Sequence, residues 1–166
     1  MVQERTQTRR WPPRVLAIAL LVACLPVTAR ESPLPDRARL MKRVDVFYQA
    51  MAASDFSAAL KVMSPEIQRC SSPEQLNQEW KAQGEVKFVR WKVRGVRPKG
   101  AEWGGSLEID CTHERLVVDS GAIVVMDVTS RKSDGQQHRD KQHCDGWLYI
   151  SSEWYWSGGG EPCDEA

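Results

Sequence analysis

The hydrophobic residues of this 166-residue chain change their period at Gly84. Before Gly84 they recur every three to four residues, which places them on one face of an α-helix; after it they alternate with polar residues, as on a half-buried β-strand. Helices that precede strands in this way are typical of an α+β protein, in which the helices cover one face of an antiparallel sheet. We therefore predict one domain with three N-terminal helices packed on a curved antiparallel sheet of about five strands.

Three segments before Gly84 carry helical signals. The first runs from Arg37 to about Ala53 and has apolar residues three or four positions apart. The second begins after a capping Asp55 and ends before Pro65, because the residue before a proline is pushed out of the helical region. The third begins with Ser72-Pro73-Glu74-Gln75, where the serine can cap the helix and the glutamine can bond back to it.

The strand region opens with the alternating run Val89 to Arg94, whose change of phase predicts a bulge near Phe88-Val89. Two shorter strand-like runs follow, Leu107 to Cys111 and Leu116 to Val118. The remaining segment, from Ala122 to Trp156, is predicted to form three strands. The first runs to Arg131 and is followed by a turn at Ser133 to Gly135. The second runs to His143, and a turn at Asp145-Gly146 leads into the third, which ends at Trp156. An Asp-Gly pair between two such runs is a strong hairpin signal.

The first 29 residues are typical of a secretory signal peptide. Four arginines precede the uncharged run Val15 to Ala23, which is too short to act as a stop-transfer helix. Leu21-Val22-Ala23-Cys24 resembles a bacterial lipobox, in which a lipidated Cys24 would anchor the protein to a membrane, whereas Val27-Thr28-Ala29 fits an ordinary signal peptidase. We predict an exported protein, either a periplasmic or outer-membrane-associated lipoprotein or a secreted protein. We divide the rest into a spacer (30–36), the domain (37–156) and a flexible tail (157–166).

The charge and the cysteines of the exported part agree with that location. The signal segment holds four of the 23 basic and one of the 22 acidic residues, so the remainder is close to neutral. A chain without an excess of positive charge is not expected to bind nucleic acid. Four cysteines remain after Cys24, an even number in a chain sent to an oxidising compartment. We predict that two disulfides form among Cys70, Cys111, Cys144 and Cys163, with all three pairings open.

Two carboxylates are candidates for a general base, which would need an apolar cavity to raise its pKa toward neutrality. Asp127 lies inside the apolar run Ile123 to Val128, and Glu153 shares a strand face with two tyrosines. The histidines are expected at the surface, because strand parity points His113 and Asp110 to opposite faces and separates His138 from His143. We predict no metal site and no cofactor.

Aromatic residues are the most distinctive feature of the composition, with seven tryptophans in the chain. Tryptophan suits both a core and a concave ligand site, where its N–H can find an acceptor. We predict that a ligand pocket is lined by Trp91, Trp103, Tyr149 and Trp154; the alternative is that these side chains pack in the core.

A basic stretch lies on the first strand, where Arg90, Lys92 and Arg94 share one face. Such a face can be solvated and protect an edge strand from pairing with another chain. Its functional interpretation is a patch for anionic lipid headgroups or for envelope polymers.

The order of elements resembles the nuclear transport factor 2-like superfamily, the cystatin-like α+β cone. The resemblance rests on the long first helix, on Ser54-Asp55-Phe56-Ser57-Ala58-Ala59-Leu60 and Ser72-Pro73-Glu74-Gln75-Leu76, and on the closing Asp145-Gly146-Trp147-Leu148-Tyr149-Ile150. It implies a curved sheet around the long helix, an apolar pocket at the open end and dimerisation through the sheet. The superfamily includes isomerases, dehydratases and exported domains without known chemistry, so the fold does not specify an activity.

Two functional hypotheses follow. The first is an exported, non-enzymatic domain that binds an apolar small molecule or an envelope protein. The second is a small isomerase- or dehydratase-like enzyme that uses a carboxylate general base, Asp127 or Glu153, in the cone cavity. We favour binding over catalysis, because no residue constellation in the sequence specifies a reaction.

Overall fold

The computed structural model describes residues 34–84, 86–99, 103–159 and 163. The predicted signal peptide, Cys24 and most of the spacer lie outside these residues. Within them, four helices precede six strands: α1 (Arg37–Ala52), α2 (Phe56–Leu60), α3 (Pro65–Cys70), α4 (Pro73–Ala82), β1 (Lys87–Pro98), β2 (Gly105–Ile109), β3 (Glu114–Val118), β4 (Ser120–Arg131), β5 (Gln137–Ile150) and β6 (Glu153–Gly159). In this described part of the chain, no helix is long and apolar enough to cross a membrane.

The helical region matches the prediction at α1 and α4 but contains one more helix. The capping box is present, since Ser72 Oγ accepts a hydrogen bond from the Gln75 amide at 3.2 Å and Gln75 Oε1 accepts one from the Ser72 amide at 2.7 Å. The prediction of three helices is wrong, because α3 begins where the second helix was predicted only to end. Ser64 caps α3 and Pro65 takes its first position, whereas α2 already ends at Leu60, so the Ser-Pro pair starts a helix rather than ending one.

The strands form two sheets rather than one meander of about five strands. A four-stranded antiparallel sheet has the order β1-β4-β5-β6, and β2 and β3 form a separate hairpin. β1 pairs with β4 from Lys87 opposite Arg131 to Pro98 opposite Ala122, which occupies the edge of β4 that β2 would otherwise use. The predicted bulge is confirmed by a register shift between Phe88 and Arg90.

The predicted turn at Asp145-Gly146 is wrong, because β5 continues through both residues to Ile150. The chain turns instead at Ser151 and Ser152, whose φ angles of 51° and 68° are left-handed. A two-residue hairpin loop needs such angles, which glycine or asparagine adopts more readily than serine. Tertiary contacts support this turn, since Asp119 Oδ2 accepts a hydrogen bond from the Ser151 amide at 3.2 Å and Arg39 donates to the Ser152 carbonyl at 2.7 Å.

The core lies between the helices and one face of the sheet, here called the inner face. Alternate residues of β4 form this face and are buried with the apolar side of α1: Ala122, Val124, Met126 and Val128 against Leu40, Val44, Phe47, Tyr48 and Met51. The segment between α2 and α3 joins β6 by backbone hydrogen bonds, from the Trp156 amide to Val62 at 2.9 Å and from the Ser64 amide to Trp156 at 2.8 Å. The helices are therefore tied to the sheet by both packing and hydrogen bonds.

Trp103 covers part of the outer face, near the end of the sheet where β4 begins. A Cβ atom added at Gly121 would come within 3.0 Å of the Trp103 side chain, and one at Gly146 would come within 3.3 Å of its ring. A larger residue at Gly121 would overlap the indole, and one at Gly146 would crowd both the indole and the Ser157 hydroxyl, 2.8 Å from the added atom. The glycine of the Asp145-Gly146 pair thus serves close packing rather than a turn.

The two predicted disulfides are present, between Cys70 and Cys111 and between Cys144 and Cys163. Their Cα atoms are 5.7 and 5.6 Å apart, within the usual range for a disulfide. The first joins the end of α3 to the loop between β2 and β3, and the second joins β5 to the C-terminal segment. Both are compatible with an oxidising location outside the cytoplasm.

Candidate functional site

A cavity of about 520 Å³ lies between the helices and the inner face of the sheet. Its volume is in the range of small-molecule sites, and most of its lining is apolar. Six aromatic residues contribute to it: Phe47, Tyr48, Phe56, Trp80, Phe88 and Trp156. The structure therefore combines a sizeable opening with the kind of surface that excludes water from an apolar ligand.

The aromatic walls are positioned by the helices and the edge strands. Phe47 of α1 stacks on Trp156 of β6 with ring centroids 4.8 Å apart and an interplanar angle of 19°. On the opposite side Trp80 of α4 lies 5.6 Å from Phe88 of β1, and its Nε1–H donates to the Val86 carbonyl at 2.8 Å. These contacts hold the side chains in place, so much of the lining is formed without a ligand.

One wall of the cavity is polar. Asp145 is only 1% exposed, and its two carboxylate oxygens accept from the Tyr48 hydroxyl at 2.8 Å and pair with His143 Nε2 at 3.0 Å. The other imidazole nitrogen, His143 Nδ1, lies 3.2 Å from Asp140 Oδ2. We call these four residues, Tyr48, Asp140, His143 and Asp145, the His143 cluster.

A bulge in β5 brings this cluster together. Met126 pairs with His143 and Val128 pairs with Asp140, so one residue of β4 lies opposite two residues of β5. The extra residue puts Asp140 and His143, three positions apart, on the same side of the strand, which regular alternation forbids. The expectation that His143 is a surface histidine is wrong for this reason.

Glycine at the end of β6 allows the strand to approach the His143 cluster. A Cβ atom at Gly159 would lie 2.5 Å from Asp145 Oδ1 and 3.4 Å from His143 Nε2. Any larger residue there would have to displace the carboxylate or the backbone. The strand also extends three residues beyond the predicted domain boundary at Trp156.

The cluster changes the acidity of two of its members. The hydrogen bond to Asp145 raises the pKa of His143 above its ordinary value of 6.5; burial opposes this rise and Asp140 adds to it. Burial and then the negative charge of Asp145 raise the pKa of the Tyr48 phenol far above its ordinary value. His143 is thus held toward its protonated form, and Tyr48 remains a hydrogen-bond donor.

A pH dependence of stability follows for His143. Because its folded-state pKa is raised, the stabilisation is fully present below the unfolded value of 6.5 and is lost as the pH rises through the folded-state pKa. We expect the advantage of the wild type over His143→Gln in urea midpoint to shrink between about pH 5 and about pH 9. An advantage that stays constant or grows over this range would contradict the assignment.

The structure places the two predicted general bases away from the cavity. Asp127 is on the outer face, where it forms ion pairs with Arg94 and, at 3.8 Å, with Arg139. The hydrogen bond from Arg94 lowers the pKa of Asp127, the opposite of the change a general base requires. Glu153 pairs with Arg43 at 3.8 Å and is not among the residues that line the cavity.

The four predicted ligand-binding aromatics do not line the cavity either. Trp91 donates to Asp45 at 3.0 Å and stacks on Tyr48, while Trp103 packs against Gly121 and Gly146 of the outer face. Trp154 is fully buried, donates to the Pro35 carbonyl at 3.0 Å and packs against Tyr149. Their positions correspond to the alternative role in packing.

Comparisons with known proteins add little to this geometry. No protein-family model matches the chain, and no curated protein matches it. Among solved structures, the chain is similar to a SEC-C motif containing protein from Rhodopseudomonas palustris, with a TM-score of 0.46 and 20% identity over 68% of this chain and 70% of that one.

Two further solved structures have similar scores. A putative Ca/calmodulin-dependent kinase II association domain from Exiguobacterium sibiricum has a TM-score of 0.47 and 7% identity over 81% of this chain and 98% of that one. A SEC-C motif containing protein from Psychrobacter arcticus has a TM-score of 0.45 and 14% identity over 83% and 66% of the two chains. We take neither a family nor a function from these three likenesses.

Proposed function

We propose that this protein is an exported, non-enzymatic domain of the nuclear transport factor 2-like type that binds an apolar small molecule between its helices and its sheet. The observation that carries the proposal is the cavity of about 520 Å³ with six aromatic residues in its wall. An apolar ligand that displaces water from a surface of this kind binds with a favourable free energy. The two disulfides agree with an exported location.

Binding is favoured over catalysis by the state of the polar wall. Both oxygens of Asp145 and both ring nitrogens of His143 are already engaged within the His143 cluster. A general base needs a free position from which to take a proton of the substrate. The cluster instead resembles a satisfied polar network that is largely buried at the cavity wall.

The charges of the lining indicate the class of ligand. Its acidic residues are Glu79 and Asp145, its only cation is His143, and no lysine or arginine is among the described residues that line it. Because His143 is already paired with Asp140 and Asp145, a buried carboxylate ligand would lack a free compensating charge. The Nε1–H of Trp156 has no partner in the described part of the protein, so a donor remains for a ligand oxygen. We propose an uncharged or cationic ligand with an apolar body.

Calorimetric titration of the purified protein with dodecanol, dodecylamine and dodecanoate tests this proposal. The three probes share one alkyl chain and differ in head group. We expect the alcohol and the amine to bind at least about tenfold more tightly than the carboxylate, since an unpaired buried charge costs more than the corresponding 1.4 kcal/mol.

Two tryptophan substitutions locate the binding. Leu76→Trp introduces an indole into the cavity wall and should abolish binding, whereas Val117→Trp places the same group on an exposed strand position and should leave it unchanged. Equal binding by both variants would place the probe elsewhere. Tighter binding of the carboxylate would overturn the proposed ligand class but not the cavity.

The enzymatic alternative keeps one supporting observation, the presence of Asp145 and His143 at the cavity wall. Ligands extracted from the purified protein can be incubated with the wild type and with Asp145→Asn and then analysed by mass spectrometry. Recovery of unchanged ligand from both supports binding. Conversion by the wild type alone would establish that the protein is an enzyme. Its general base would then be Asp145 rather than the predicted Asp127 or Glu153.

A further inference from the structure

A second concavity, of about 620 Å³, lies on the outer face of the sheet and crosses β1, β4 and β5. We call it the outer groove. Its charged lining consists of Arg90, Lys92, Arg94 and Arg139 with the single carboxylate Asp127. Four basic residues against one acidic residue give the groove an excess of positive charge, although the exported part of the chain is close to neutral.

Pairing across the strands concentrates these charges. Arg90 of β1 lies opposite Thr129 of β4, and Thr129 lies opposite Arg139 of β5, so the two arginines flank one threonine. Lys92 lies opposite Asp127 in the same way. Neighbouring strands are about 4.8 Å apart, so the four cations line one continuous groove across the three strands.

Asp127 forms ion pairs with two of the arginines but leaves some of their N–H donors unused. Its side chain is 11% exposed and pairs with Arg94 and Arg139, whose own side chains remain 51% and 62% exposed. A guanidinium has five N–H donors, so each arginine keeps several for another acceptor. Arg90 has no carboxylate partner among the described residues. The groove is thus a partly preorganised set of donors with unused capacity.

We propose that the outer groove binds the headgroup of an anionic phospholipid at a bilayer surface. The cations match the phosphate of the headgroup, and arginine in particular binds phosphate through two parallel hydrogen bonds.

An apolar residue in the lining favours a bilayer over a soluble polymer. Val89, the bulged residue of β1, lines the groove and is 47% exposed. In water this exposure has no benefit, whereas at a bilayer the side chain enters the interfacial region beside the headgroups. β1 is also an edge strand, so Val89 lies at one side of the sheet. A hydrophilic polyanion would use the cations but leave Val89 in water.

Vesicle co-sedimentation of the exported protein, without the predicted signal peptide, tests this proposal, with vesicles of phosphatidylcholine alone and of phosphatidylcholine and phosphatidylglycerol in equal parts. We expect binding only to the anionic vesicles. Replacing Arg90 and Lys92 by glutamate should weaken it by about thirtyfold or more, because each basic residue near such a surface contributes roughly one factor of five. Arg94, Asp127 and Arg139 are left intact so that their ion pairs continue to support the sheet.

A matched variant controls for net charge. Lys42→Glu with Lys61→Glu changes the charge by the same amount on the helical side of the molecule, where both residues are exposed, and should leave vesicle binding unchanged. If the glutamate variant of the groove unfolds, Arg90→Gln with Lys92→Gln provides a milder change with an intermediate loss. Raising the salt from about 0.1 M to about 1 M should release the protein, since the screening length falls from about 10 Å to about 3 Å.

Several results would overturn the proposal. Equal binding to both kinds of vesicle would show that anionic headgroups are not recognised. An equal loss of vesicle binding in the groove variant and in the helical-side variant would show that the groove is not the binding site. Binding of glycerol phosphate or of a soluble sulfated polysaccharide as tight as that of vesicles, with the same sensitivity to Arg90 and Lys92, would make the groove a general anion site rather than a bilayer site. The outcome is independent of the ligand proposed for the cavity, because the two sites lie on opposite faces of the sheet.

Discussion

Replacing Asp145 by alanine is expected to lower the free energy of unfolding by about 3 kcal/mol, the lower end of the range for breaking a buried charge pair. The carboxylate is 1% exposed and satisfies both the Tyr48 hydroxyl and His143 Nε2. Its removal leaves a buried hydroxyl without an acceptor and an imidazole without its nearest counter-charge. Urea unfolding followed by tryptophan fluorescence measures the loss.

Two further variants separate the causes of this loss. Tyr48→Phe removes only the hydroxyl and should cost about 1 kcal/mol, the usual value for one hydrogen bond. Asp140→Ala removes the partner of the other imidazole nitrogen, but Asp140 is 44% exposed, so its loss should cost less than about 1 kcal/mol. An Asp145→Ala protein no less stable than Asp140→Ala would show that the His143 cluster is not a buried network.

Removing the disulfide between Cys70 and Cys111 is expected to lower the free energy of unfolding by about 4 kcal/mol, from the loop-closure entropy of the unfolded chain. The two cysteines are 41 positions apart, and the link joins the helical region to the β2–β3 hairpin. Among the described strands, β2 and β3 pair only with each other, so this bond and the adjacent ion pair between Arg69 and Glu114 are among the contacts that fix the hairpin. The double variant Cys70→Ala with Cys111→Ala tests this.

The second disulfide supplies the comparison. Cys144 and Cys163 are 19 positions apart, so their removal should cost about 3 kcal/mol, slightly less than removal of the first. Peptide mapping without reduction should recover both pairs. Recovery of either of the other two pairings, or a Cys70→Ala with Cys111→Ala protein as stable as the wild type, would contradict the structure.

Local sequence was sufficient for the elements whose signals act within a few residues. The bounds of α1, the capping box at Ser72 and the bulge after Phe88 were all predicted and are confirmed. In each case the cause is local: a helical period, a side chain that bonds to its own turn, and a change of phase within one strand. The number of disulfides could likewise be inferred from an even cysteine count in an exported chain.

The errors arose where one local signal had two possible causes. Ser64-Pro65 could end one helix or start the next; α2 ends at Leu60, and the pair caps and starts α3. Asp145-Gly146 has the composition of a hairpin turn, but Asp145 bonds to Tyr48, which is 97 positions away, and Gly146 lies beneath Trp103. The chain turns at two serines that carry little turn signal of their own.

The candidate site was missed for a related reason. Strand parity separates Asp140 from His143 unless an extra residue intervenes, and the bulge that supplies this residue is visible only in the pairing of β5 with β4. The spacing of His143 and Asp145 could have indicated their proximity, since residues two apart on a strand share a face. Aromatic content indicated a pocket but could not say which aromatic residues line it.

The sequence by itself determined that helices precede strands, the candidate export signal and the two-disulfide content, because periodicity, composition and the cysteine count are properties of the chain alone. Only the tertiary structure decided which cysteines pair, which carboxylate is buried at the cavity and which basic residues meet in the outer groove. These features depend on strand register and bulges, and a shift of one residue transfers every later side chain to the opposite face of the sheet.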